Sequence, residues 1–142
     1  FLGLTFNWGI IMAWTSLNEV ISLEIVVLYL AAIFWTLGYD TIYGVQDMSD
    51  DEIIGLKSTS IKFKKNIKMF VSFCYLFNFT LLIWLFFEKL NFNLFFLLIF
   101  LYFLTLVYQL KIFNKNNPLS CLKAFKMNNI SGLILFLAII AK

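Results

Sequence analysis

Three stretches, Leu23–Val45, Ile67–Phe87 and Phe92–Leu110, run almost unbroken through apolar side chains. A helix needs about 20 apolar residues to cross the hydrocarbon of a bilayer, within a range of about 17–25. These three meet that length. Shorter runs at Phe1–Leu17 and Ile130–Ala141 predict two more helices that rest on the company of the others. A strand reading fails, because membrane strands are about 9–11 residues long with alternating polarity. Composition points the same way: 62% of the residues are hydrophobic and 13% charged, against about 45–50% and about 25% in a soluble domain. The expected fold is an all-α integral membrane helix bundle, with residues 1–142 in one domain.

The chain has no His and no Arg, and its eleven basic residues are all Lys. That excludes His-based triads, His zinc sites and imidazole acid–base chemistry, and any guanidinium clamp from this chain. Cys74 falls in an apolar run and Cys121 in a stretch read as a Lys-bearing loop, so neither a disulfide nor a metal site is expected of them. Neither a Walker loop nor a GxGxxG is present. The lysines read as loop charges that orient the bundle rather than as a nucleic-acid surface. Nine of the eleven fall in two segments read as loops, Asp47–Lys68 and 111–128. With five helices those segments share one side, and the positive-inside rule makes that side cytoplasmic.

Against this background the stretch YDTIYGVQDMSDDEIIGLKST, residues 39–59, stands out. Asp40 lies late in an apolar span, where a carboxylate costs roughly 2.5–3.5 kcal/mol on insertion scales. It should face the bundle interior or a polar cavity. If the helix continues, Asp47 and Asp51 return to within about 20° of Asp40, and Asp50 lies roughly 80° away. Asp47 and Asp51 form an i, i+4 pair, whose like charges repel unless a cation lies between them. Carboxylate oxygens suit Mg²⁺, which is commonly completed by substrate phosphates. The pattern points to a magnesium–phosphate site for an amphiphilic substrate. Acidic runs after a span are also commonly just solvated, and that reading holds best for Asp50 and Glu52. Asn128 and Asn129, before the last apolar run, could line the cavity, though an interfacial capping role is favoured.

The same stretch resembles the second aspartate-rich motif of the UbiA superfamily of intramembrane prenyltransferases, in its 4-hydroxybenzoate branch. That branch carries DTxYAxxDxxDD followed by GxKST. Asp40-Thr41, Tyr43, Asp47, Asp50-Asp51 and Gly55-Leu56-Lys57-Ser58-Thr59 fit it, with Gly44 in place of Ala, a small-for-small change. The segments GLTFNWGIIMAW and CLKAFKMNNISGLILFLAI also resemble the family. The resemblance implies a bundle of nine helices, of which about five would be present. It implies Mg²⁺ and a polyprenyl diphosphate held by aspartate-rich motifs, with 4-hydroxybenzoate as acceptor, in ubiquinone biosynthesis at the inner membrane. Carried over, Asp47 and Asp51 become the metal-binding pair, with Asp50 as a third candidate beside them. Asp40, Tyr43 and Lys57 become catalytic and substrate-binding residues. Asp40 would shape the metal or aromatic site, Lys57 contact phosphate or a neighbouring carboxylate, and Tyr43 offer a ring face to a carbocation.

The family's first motif, NDxxDxxxD, does not occur in these 142 residues. The expectation is therefore a C-terminal portion that is incomplete without an N-terminal half, whether as part of a longer chain, a split enzyme or a decayed gene product. Three alternatives stay open: another UbiA branch with a naphthoate or haem acceptor, a non-catalytic membrane remnant, and a cation transporter using Asp40 as a relay.

Overall fold

A computed structural model describes residues 2–90 and 93–142; the expected starts at Phe1 and Phe92 lie outside them. Among the described residues eight α-helices follow one another: α1 (Leu2–Phe6), α2 (Trp8–Thr15), α3 (Leu23–Tyr43), α4 (Met48–Ile53), α5 (Thr59–Lys62), α6 (Ile67–Leu85), α7 (Leu94–Ile112) and α8 (Pro118–Ile140), with a 3-10 helix at Phe87–Lys89. No strand occurs among the described residues. Among the described residues four helices, α3, α6, α7 and α8, are long and apolar enough to cross a membrane. The chain is thus a multi-pass, all-helical membrane protein.

Two of the five expected helices differ in detail. The first run, expected as one helix, is divided at Asn7 into α1 and α2, neither long enough to span. The Asn7 amide donates to Gly3 O and to Thr36 Oγ1, each at 2.8 Å, which ties the break to α3. The last span begins at Pro118, well before Ile130. Asn117 accepts the Leu119 and Ser120 amides at 3.1 and 3.3 Å, and Pro118 occupies the first turn, where its missing N–H costs nothing. Lys123, Lys126 and Cys121 therefore ride on α8 rather than in a loop. Lysine stems can lie along an apolar helix while the ammonium reaches the interface, so two lysines do not end a span. Asn128, deep within α8, caps nothing.

Side chains stitch the four spans together. The Asn78 amide donates to Ala31 O of α3 at 3.0 Å, and Tyr102 OH of α7 donates to Asn78 Oδ1 at 2.7 Å. Tyr75 OH donates to Gln109 Oε1 at 2.6 Å, and the Gln109 amide donates to Ser131 Oγ of α8 at 2.8 Å. All these groups are buried, where an unpaired polar atom is costly. The hydrophobic effect adds little to helix association in lipid, because the tails are as apolar as Leu, so close packing and polar contacts carry it there. Close approach is visible at Gly38, where an added Cβ would lie 2.4 Å from the Tyr75 ring. Large apolar side chains such as Phe73, Leu76, Leu97 and Phe136 point outward, as a lipid-facing surface requires. Alternating passes put α4, α5 and the linker 113–117 at one end of the bundle, and with them nine of the eleven lysines.

Candidate functional site

The acidic stretch does not continue α3. The helix ends at Tyr43, a turn follows, and α4 starts after Asp47. Asp40 therefore does not share one helical stripe with Asp47 and Asp51. The break is built into the next segment. Val45 is buried and anchors the turn, which backbone bonds from Val45 to Ile42 and from Gln46 to Tyr43 close.

Helix α4 ends in a Schellman motif. Leu56 N–H bonds Asp51 O at 2.9 Å and Gly55 N–H bonds Glu52 O at 3.3 Å. Gly55 adopts a φ of +74°, a left-handed conformation that glycine reaches without steric penalty. The chain then reverses, and Ser58 caps α5 by accepting the Ile61 amide at 3.3 Å.

The reversal brings Thr59 and Ser60 onto the end of α3. Thr41 Oγ1 donates its one proton to Leu37 O at 2.6 Å. Its 2.7 Å contact with Thr59 Oγ1 must then be donated by Thr59. Ser60 Oγ donates to Thr41 O at 3.0 Å. Gly44 leaves room for this: a Cβ there would meet Ser60 Oγ at 2.6 Å. Ala at Gly44 is thus not a neutral change in this chain, since the Ser60 hydroxyl would have to move. Gly55, Ser58, Thr59 and Thr41 of the motif are explained by this clasp, which holds α4 at the mouth of the bundle.

What the clasp presents is acidic. Asp47 and Asp50 are exposed and Asp51 is half-buried. Asp47 occupies the N-cap position of α4, yet its side chain makes no capping bond. Asp51 N–H instead bonds Asp47 O at 2.8 Å, which puts the two residues one turn apart. Neither pairs with a lysine: the ion pair among the described residues is Lys64–Glu52, at 2.7 Å. Lys57 is exposed on the link between α4 and α5. Among the described residues no group of three or more Asp, Glu or Cys is placed to hold one ion. The chemistry fits Mg²⁺ as a two-carboxylate partial set, since that ion keeps waters and takes further oxygens from phosphate.

Asp40 is half-buried on α3, without an ion pair. Beside it, Trp35, Tyr39 and Tyr43 form an aromatic ladder facing α8. Tyr39 and Tyr43 meet Phe125 at centroid distances of 6.0 and 4.8 Å, and Trp35 meets Tyr39 at 5.9 Å. Gly132 of α8 lies under Trp35, where a Cβ would come within 3.2 Å of the indole. Trp35 Nε1 and Asn128 Oδ1 are buried without a hydrogen-bond partner among the described residues. Sequence alone singles out Tyr43 among these rings rather than Trp35, and favours a cap over a cavity-lining role for Asn128. The available signal was spacing: Phe125, Asn128 and Gly132 recur at helical intervals once α8 is extended back to Pro118. A cavity of about 750 Å³ lined by Trp14, Glu24 and Trp84 lies at the opposite end of the bundle.

Residues 1–130 match the UbiA prenyltransferase family. The chain belongs to that family. Among curated proteins, this UbiA chain is 35% identical over 139 residues to a 4-hydroxybenzoate octaprenyltransferase of Edwardsiella ictaluri, covering 98% of this chain and 48% of that protein. It is 38% identical over 146 residues to a mitochondrial 4-hydroxybenzoate polyprenyltransferase of Dictyostelium discoideum, covering 98% and 30%. It is 48% identical over 73 residues to a mitochondrial 4-hydroxybenzoate polyprenyltransferase of Arabidopsis thaliana, covering 51% and 18%. This UbiA chain spans about half the length, or less, of these relatives. No solved structure matches it.

Proposed function

We propose that the chain supplies one half of a Mg²⁺-dependent site that transfers a polyprenyl group from polyprenyl diphosphate to 4-hydroxybenzoate, in ubiquinone biosynthesis. The observation that carries this reading is Asp47. It is a carboxylate at a helix N-cap that does not cap, one turn from Asp51, on a helix clasped to a membrane span. Both carboxylates are left to an external cation. The names of the relatives supply the substrates.

Mg²⁺ held by Asp47 and Asp51, with Asp50 beside them, would neutralise charge developing on the departing diphosphate. Lys57, exposed on the same clasp, adds a cation for phosphate oxygens. The C–O bond of the prenyl diphosphate breaks and its electron pair leaves with diphosphate. The ring carbon ortho to the 4-hydroxybenzoate hydroxyl attacks the allylic cation and then releases its proton. Tyr43, with its ring partly exposed against Phe125, offers a face to that cation. Asp40 borders the aromatic ladder and shapes the acceptor side. The remaining ligands come from a segment equivalent to the relatives' other half. The positive-inside rule supports placing the clasp on the cytoplasmic face of the inner membrane.

The test is prenyl transfer to 4-hydroxybenzoate in membranes supplied with Mg²⁺ and a prenyl diphosphate. The chain is assayed alone and co-expressed with an N-terminal half carrying the first motif. Activity only with both supports the composite site. Activity from the chain alone overturns the need for a second half. No activity in either, with the chain inserted and folded, favours a non-catalytic remnant.

A further inference from the structure

At the clasp end of the bundle, on a separate surface, a cleft of about 540 Å³ opens between the start of α6 and the end of α7. Lys65 and Lys68 line it from one side, Lys111 and Lys115 from the other, with Met69 and Phe113 among its apolar walls. It shares no residue with the acidic stretch or the aromatic ladder.

The charge around this cleft is uncompensated by the protein. None of the four lysines has an ion pair among the described residues. The sequence holds no acid from Ile53 to Phe87, and none after Glu88. Of the acids at this end, Glu52 is engaged by Lys64. Two of the lysines are also placed against the helix dipole. Lys65 and Lys68 flank the first turn of α6, where backbone N–H groups already point outward and favour anions. Asn66, at the N-cap, makes no side-chain capping bond there. The positive-inside rule explains which end carries lysine. It does not explain why four converge on one cleft at an uncapped helix start.

We propose that this cleft binds the phosphate headgroup of an anionic membrane phospholipid. Its depth argues for lipid over free phosphate. The lysines bracket Ile67 and Ile112, the ends of two spans, at the boundary where headgroups lie. Met69 is 70% exposed beside them, an apolar surface that suits the start of an acyl chain and offers inorganic phosphate nothing. Basic pockets between spans on the cytoplasmic side recognise phosphate headgroups in this way.

The experiment counts phospholipids retained on the chain in neutral detergent by native mass spectrometry. Phosphatidylglycerol is compared with phosphatidylcholine of the same acyl chains, with inorganic phosphate as competitor. K68Q/K111Q is compared with K123Q/K126Q, which removes equal charge from the same end. Phosphatidylglycerol should be retained over phosphatidylcholine, and K68Q/K111Q should weaken it by about tenfold or more, while K123Q/K126Q leaves it in place. If K68Q/K111Q fails to fold, K68R/K111R is used and should keep the lipid; its loss there would count against the site. Equal loss in both pairs would show diffuse interfacial attraction and overturn the proposal. Displacement by inorganic phosphate would overturn it in favour of a free-anion site. Equal retention of phosphatidylcholine would overturn it outright. None of these readouts depends on prenyl transfer, so the lipid site and the catalytic reading fail separately.

Discussion

Thr59 Oγ1 donates to Thr41 Oγ1 at 2.7 Å, joining residues 18 positions apart in sequence. The bond fixes the return of the acidic segment to α3. Thr59→Val keeps the shape and removes the donor. It should cost about 1 kcal/mol and speed amide exchange across residues 48–62. Exchange in α6, α7 and α8 should stay as it was. Unchanged exchange at the clasp would show that apolar packing alone holds it.

Gly55 carries the one positive φ among the described residues. Gly55→Ala should cost about 1–2 kcal/mol, and faster exchange of the Leu56 amide would report it directly. An unaltered Leu56 amide would remove the Schellman assignment.

Asp47 sits at a cap position without capping, so stability and function should separate there. Asp47→Asn should shift thermal unfolding in detergent by less than about 0.5 kcal/mol. In an active assembly it should abolish Mg²⁺-dependent retention of a diphosphate. A variant that unfolds as readily as it loses binding would reveal a structural role instead.

Gly38 and Tyr75 touch with no space for a methyl group. Gly38→Ala should destabilise the α3–α6 pair by about 1–3 kcal/mol. In a Tyr75→Leu background the same substitution should cost far less, measured as a double-mutant cycle in unfolding.

Asn78 bridges three spans through Ala31 O and Tyr102 OH. Asn78→Leu should lower resistance to unfolding in dodecyl sulfate by about 1–2 kcal/mol. Ser72→Ala, whose hydroxyl serves its own helix at Lys68 O, should have almost no effect.

Much of this was legible in the residues because the bilayer reduces the choice to apolar length. The spans at Leu23, Ile67 and Leu94 followed from that alone. The start of α8 did not, because Lys123 and Lys126 carry charge that sequence reads as solvent, while a helix lets their stems snorkel. The break between Asp40 and Asp47 was hidden for a different reason. The helical period continues through the letters, and only the buried Val45 and the distant Thr59 and Ser60 end it. Non-local partners of this kind leave no local trace. The buried Asn78, Gln109 and Ser131 were equally quiet, being single polar letters in apolar runs. The acidic residues stand out as a group in the letters, but their arrangement on two helices does not.

The contact between Gly38 and the Tyr75 ring also acts as a depth gauge. Asp40 lies two residues further along α3, about 3 Å by helical rise. Sliding α3 along α6 by one residue would set the ring against the side chain of Leu37 or Tyr39, so the notch admits a single vertical setting. A slip of one full turn would carry the carboxylate, together with the rings on its own helix, about 5.4 Å along the bundle axis, out of step with Phe125 of α8. The height at which this acid meets its surroundings is therefore ruled by a ring and a missing methyl, neither of which carries charge.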